Sequence, residues 1–126
     1  MNMKKFIFCL IALVVAVVMT SCEKEVDLGY PTSVTFTADG GEKTITGVEP
    51  FTDAHIHDYN SGEDGEFVPR EDDIQCQVYE WLSIEYLANS TELKIIAEPN
   101  ASGKSRKLHI ELHSGQEYHV LEVKQE

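Results

Sequence analysis

A single all-β domain, folded as a sandwich behind a removable export signal, is what this sequence predicts. Three observations carry the prediction. After residue 22 the apolar residues recur with period two, and no window of comparable quality has the period of a helix. Clusters of Gly, Asn, Asp and Ser separate the apolar runs, as turns separate the short strands of a sandwich. The length that remains after the signal, 105 residues from Cys22 to Glu126, suits one domain with one core.

The first element is the signal. Lys4 and Lys5 precede an apolar run from Phe6 to Met19 that stops at Thr20-Ser21-Cys22. That succession of charged, apolar and small residues marks an export signal, and the run is shorter than the ~20 residues a bilayer-spanning helix needs. Met19-Thr20-Ser21-Cys22 resembles the lipobox of bacterial lipoproteins, which implies a lipoprotein signal peptide over residues 1–21 and a diacylglycerol on Cys22. At about 0.8 kcal/mol per buried methylene, two or three acyl chains hold a protein on a membrane without a spanning segment. An ordinary signal with a chance cysteine is the alternative. Residues 22–31 then read as an acidic tether. Glu23, Lys24 and Glu25 resemble the acidic export signal of surface lipoproteins of Bacteroidetes, implying a lipid-anchored place on the outer membrane, facing the exterior.

Loss of residues 1–21 leaves 8 Lys and Arg against 22 Asp and Glu, a formal charge of −14. A surface of that sign repels nucleic acid, which is excluded as a partner. Cys9 leaves with the signal and Cys22 is the lipidation site, so Cys76 has no disulfide partner and reads as a small core residue.

The strands follow in order. Val34 and Phe36 alternate before the Gly40-Gly41 turn and Ile45 after it, which reads as a first hairpin. Residues 75–85 read as one strand, with Ile74, Cys76 and Val78 and then Leu82, Ile84 and Tyr86 as its apolar positions. Leu93, Ile95 and Ala97 share one side of the next run, and Leu108, Ile110 and Leu112 share one side of the run that turns at Ser114-Gly115. In the last strand Tyr118 and Val120 fall on one parity and Leu121 and Val123 on the other; a β-bulge near Val120-Leu121 would reconcile them. Residues 49–73 break the pattern, being acidic and rich in Gly, Asp and Asn, and read as an insert that is either functional or disordered.

Gly40 and Gly41, then Trp81-Leu82-Ser83, then Asn100 with Ser102, Gly103 and Arg106, and last Gln125 resemble, in order and spacing, the BACON family (Bacteroidetes-associated carbohydrate-binding often N-terminal). The resemblance runs over residues 32–126 and implies an immunoglobulin-like β-sandwich of about seven strands that associates with carbohydrate. The acidic insert 49–73 departs from the family, which has a shorter turn and a further Trp there. The loop around Asn100 reads as structural: Asn and Ser bond nearby backbone, and Gly103 supplies a conformation closed to other residues.

Sugars offer apolar C–H faces to aromatic rings and hydroxyls to polar groups. Gln77, Tyr79, Trp81 and Ser83 share one parity and form the candidate glycan platform, with burial of Trp81 and Tyr79 in the sandwich as the competing reading. Asp53, His55 and His57 share a strand face and are the metal candidates; His109 and His113 share another, with His119 near them across the hairpin. Only pairs are visible, whereas a transition-metal site needs three or four ligands. Asn60 to Glu71 has some calcium-loop spacing, but Asn60 and Gly62 stand at ligand positions and no helices flank it. Nucleophile elbows, zinc-protease signatures and phosphate loops are absent from the sequence. The expectation is therefore a non-catalytic protein that needs no cofactor and has membrane, glycan and surface protein as its partners. A carbohydrate-binding module is the first reading; a spacer or accessory domain docking on another protein is the alternative. An exposed Tyr79 and Trp81 would favour the former, and buried rings with an apolar patch elsewhere the latter.

Overall fold

The computed structural model describes residues 23–126. The segment expected as an export signal and Cys22, the expected lipidation site, lie outside the described residues. Eleven strands are present among the described residues, and no helix: β1 (Lys24–Glu25), β2 (Ser33–Phe36), β3 (Gly41–Phe51), β4 (Asp53–Asp58), β5 (Glu63–Asp64), β6 (Glu66–Val68), β7 (Gln75–Tyr79), β8 (Leu82–Tyr86), β9 (Ser90–Ala97), β10 (Arg106–Ser114) and β11 (Glu117–Gln125). They form two sheets. One has the order β1-β11-β10-β4-β5, with β2 also pairing β11; the other has the order β3-β9-β8-β7-β6. The chain is thus an all-β sandwich.

Period two explains the layering. Ala54, Ile56, Leu108, Ile110, Leu112, Leu121 and Val123 point inward from the first sheet and meet Ile45, Leu82, Ile84, Leu93 and Ile95 from the second, all of them buried. Each Leu, Ile or Val side chain among them contributes roughly 1.5–3 kcal/mol by leaving water.

Several local expectations are corrected by the pairing. The runs on either side of Gly40-Gly41 do not form a hairpin, since β2 pairs β11 in one sheet and β3 pairs β9 in the other. The glycines turn a corner between sheets: φ is +76° at Gly40, and a Cβ there would lie 2.4 Å from the Ala97 carbonyl oxygen. Residues 75–85 are two strands rather than one. They are joined at Glu80 and Trp81, with Glu80 at φ 49°. This turn reverses the parity of β7, because Gln77 faces Ile84 and Tyr79 faces Leu82 across the ladder. Gln77 and Tyr79 therefore belong to the inner face, while Cys76 and Val78 stand outside. Cys76, expected in the core, is only half-buried, opposite Glu85.

The last strand has no bulge at Val120-Leu121, for its register with β10 runs unbroken from Arg106–Gln125 to Ser114–Glu117. The inner position is filled by His119, 2% exposed. Its Nδ1 accepts the Leu28 N–H at 3.1 Å and its Nε2 donates to the Pro31 carbonyl at 3.1 Å, so both ring nitrogens are satisfied in the core. His119 thus lies on the face opposite His109 and His113.

Both segments that lacked a strand pattern are built into the fold. The stretch expected as a tether carries β1, and Leu28 and Tyr30 from it are buried in the core, at 5% and 4% exposure. The acidic insert supplies the end of β3 and all of β4, β5 and β6, with Phe51, Ala54 and Ile56 fully buried. Its apolar alternation is short, but β4 lies inside the first sheet, between β10 and β5.

Candidate functional site

Strand β4 places Asp53, His55 and His57 on the outer face, because Ala54 and Ile56 take the inner one. Strand β10 does the same with His109, Glu111 and His113. Antiparallel pairing then puts His57 opposite His109, His55 opposite Glu111, and Asp53 opposite His113. On the other side of β10, Tyr118 stands opposite His113. Four of the five histidines therefore meet on one solvent-facing surface.

Tyr59 follows β4 and folds back over this surface. Its ring lies edge-on to His57 and to His109, with centroids 4.5 Å away in both cases, and its hydroxyl donates to Glu111 Oε2 at 2.8 Å. Burial, followed by the Glu111 bond and charge, pushes the Tyr59 phenol well up, so it stays a donor. The ring is nevertheless 51% exposed. Further along, His113 stacks on Tyr118 at 5.5 Å, touches His55 at 5.4 Å, and brings Nε2 to 3.3 Å from Glu111 Oε1. Phe67, reaching over from β6, meets His55 edge-on at 6.0 Å.

Carboxylates punctuate the rings. His55 Nε2 lies 2.8 Å from Asp53, His57 is bonded to Asp64, and His109 Nε2 lies 3.6 Å from Glu122. Burial pulls His109 below its ordinary value of 6.5, against the opposing pull of Glu122, so this imidazole is neutral at pH 7. The Lys124 bond holds the Glu122 carboxyl below its usual range. Such a surface offers ring faces for apolar contact and carboxylate oxygens that accept hydroxyl hydrogens. Each histidine turns to a carboxylate of its own, and among the described residues no three His, Cys, Asp or Glu side chains converge on a common metal position. Asp53, His55 and His57 thus belong to the aromatic face, without a third convergent ligand.

The residues proposed as a platform lie elsewhere and do not share a face. Trp81, 6% exposed, is covered by the Arg106 guanidinium, whose carbon sits 4.7 Å from the ring centroid. Gln77 is fully buried and bonds across to β4, accepting the Ile56 N–H and donating to the Ala54 carbonyl at 3.5 Å. Tyr79 packs against the core, and its hydroxyl, with one hydrogen to donate, lies 3.1 Å from Asp58 and 3.2 Å from Glu63. Ser83 lies on the outer side of β8, opposite Val78. Sequence reasoning missed Tyr59, Phe67, Glu111 and Tyr118. The alternation in "HIH" and "HIELH" was visible, but the adjacency of those two runs depends on pairing.

Residues 71–126 match the family model BACON, described as "Putative binding domain, N-terminal". That span begins after β6, so it takes in β7 to β11 and leaves β4 and Tyr59 outside. An NMR structure of a protein from Bacteroides thetaiotaomicron is similar in fold, with a TM-score of 0.54 at 16% identity, covering 78% of this chain and 82% of that one. No curated protein matches this chain.

Proposed function

Residues 71–126 match the BACON model, and from that premise we propose that this chain is a non-catalytic BACON-type module that binds glycan on the histidine and tyrosine face, displayed on the exterior of the outer membrane by lipid on Cys22. One observation supports the choice of face: exposed Tyr59, bonded to the Glu111 carboxylate, lies with Tyr118 and four histidines on the outer face of the first sheet, where Phe67 of β6 also meets His55. A sugar ring would lie its C–H face against Tyr59 and give hydroxyl hydrogens to Glu111 and Asp53. The burial of Trp81 beneath Arg106 makes Tyr59 the better stacking ring.

Affinity electrophoresis and calorimetry of the protein starting at Glu23, against mucin glycans and plant polysaccharides, test this reading. Retention that disappears in Tyr59→Ala, with the fold intact by circular dichroism, is expected; absence of retention on every glycan overturns it. Fatty-acid labelling that vanishes in Cys22→Ala, and protease accessibility on whole cells, test the anchor and its side.

A second reading, docking on a surface protein, is favoured by the edge of the second sheet. Strand β6 is three residues long and carries Phe67 and Val68 at 47% and 44% exposure. An unpaired edge with apolar side chains can accept a partner strand. Phe67→Lys would abolish such docking.

A further inference from the structure

The cations of this acidic chain are gathered unevenly. Of the 8 Lys and Arg residues after residue 22, Arg106, Lys107 and Lys124 line one open cavity of about 640 Å³, which Trp81, Asp58 and Asn60 also border. Lys107 and Lys124 stand directly opposite each other in the β10–β11 ladder, an arrangement of like charges that opposes strand pairing. Glu122 serves both, at 3.8 Å and 3.1 Å.

Arg106 has no carboxylate partner among the described residues. Its Nε donates to Gln125 Oε1 at 2.8 Å and its Nη2 to the Glu98 and Pro99 carbonyls at 3.3 Å, all neutral acceptors. Its Nη1 makes no hydrogen bond among the described residues. The β10–β11 side of the cavity thus carries three cations, of which Lys107 and Lys124 share the Glu122 carboxylate.

Across the cavity the chemistry is of opposite sign. Asp58 and Glu80 border it. Burial pushes the Asp58 carboxyl up, but the Asn60 N–H, the Tyr79 hydroxyl and Ser61 together hold it below its usual range, so it stays ionised. A ligand that fits needs an anionic group on one side and hydroxyl donors on the other, within a compact body. A uronic acid has this form. A simple anion lacks the hydroxyls, and a neutral sugar lacks the charge.

The cavity also adjoins the glycan face. Asp58 and Asn60 flank Tyr59, and Lys107 lies two residues before His109 on the same side of β10. We propose that this cavity is a subsite for a uronic acid unit of an acidic glycan whose neighbouring units lie on the histidine and tyrosine face. The proposal rests on the glycan reading above. The Lys107 and Lys124 ammonium groups hold the carboxylate, the free Nη1 of Arg106 completes the cationic wall, and Glu80 and Asn60 meet the ring hydroxyls.

The test uses oligosaccharides of galacturonate and of glucuronate, each beside its carboxyl-reduced neutral counterpart, measured by calorimetry and by Trp81 emission. Charge-assisted bonds of this kind give the acidic form an advantage of about tenfold or more. The preference should vanish in Lys107→Ala/Lys124→Ala while neutral affinity persists, and Trp81 should respond to the acidic form alone. Removing two exposed like charges leaves the fold intact, which unfolding midpoints check. Equal affinity for the two forms, or a preference that survives in the double variant, overturns the subsite. Neutral binding lost in Tyr59→Ala would then leave the glycan reading standing, whereas failure of both forms to bind overturns the two together.

Discussion

Replacing Gln77 with leucine asks whether this side chain ties the sheets together or serves a ligand. Gln77 is fully buried, on β7 of the second sheet, and its amide bonds the β4 backbone of the first at Ile56 N–H and the Ala54 carbonyl. Leucine fills similar space but leaves the buried Ile56 N–H without an acceptor, which costs roughly 1–3 kcal/mol. Each kcal/mol shifts Tm by about 4–8 °C in a domain of this size, so a loss near 2 kcal/mol lowers Tm by about 10 °C. Thermal and urea unfolding followed through Trp81 read the change, and hydrogen exchange at the Ile56 amide localises it. Glycan affinity of the remaining folded protein should be unchanged. A Tm within about 2 °C of the parent, or weakened glycan binding at unchanged stability, would refute the structural role.

Gly65→Ala should disturb the same bond from the other side, since an added Cβ lies 2.7 Å from Gln77 Oε1; a midpoint equal to the parent's would contradict the packing. Asn100→Ala removes donors to the Lys104 carbonyl at 2.7 Å and the Glu126 carbonyl at 3.2 Å together with the acceptor for Ser102, and should destabilise by about 2 kcal/mol in urea unfolding. His109 has a folded-state value below 6.5, so as pH falls through 6.5 the unfolded chain takes the proton first and stability drops until the folded value is reached. His109→Gln should flatten that acid limb of the Tm profile, and NMR titration should find the His109 midpoint below 6.5. Acrylamide should quench Trp81 only weakly, as its 6% exposure beneath Arg106 requires; strong quenching would place the ring in solvent.

Much of the layering was legible in the chain because alternation is a local property. Val34 and Phe36, Leu82 and Ile84, Leu93 and Ile95, and Leu108 to Leu112 declare their common inner face without reference to any partner. Glycines announced chain reversals for the same local reason. Alternation fails where a polar residue takes an inner position. His119 and Gln77 do so because backbone groups distant in sequence, at Leu28 and Pro31 and at Ala54 and Ile56, satisfy their polar atoms. No window around either residue contains those partners.

The candidate site divides in the same way. By itself the sequence determined an all-β domain, the sharing of one face by His55 and His57 and of another by His109 and His113, and a strongly acidic surface. Only the tertiary structure decided that these two faces are neighbours, that Tyr59 lies between them on Glu111, that Trp81 lies under Arg106, and that the Gly40-Gly41 turn passes between sheets. Side-chain parity is set within a strand, whereas the neighbour across the ladder is chosen by the burial of both inner faces at once, a property of the assembled sandwich.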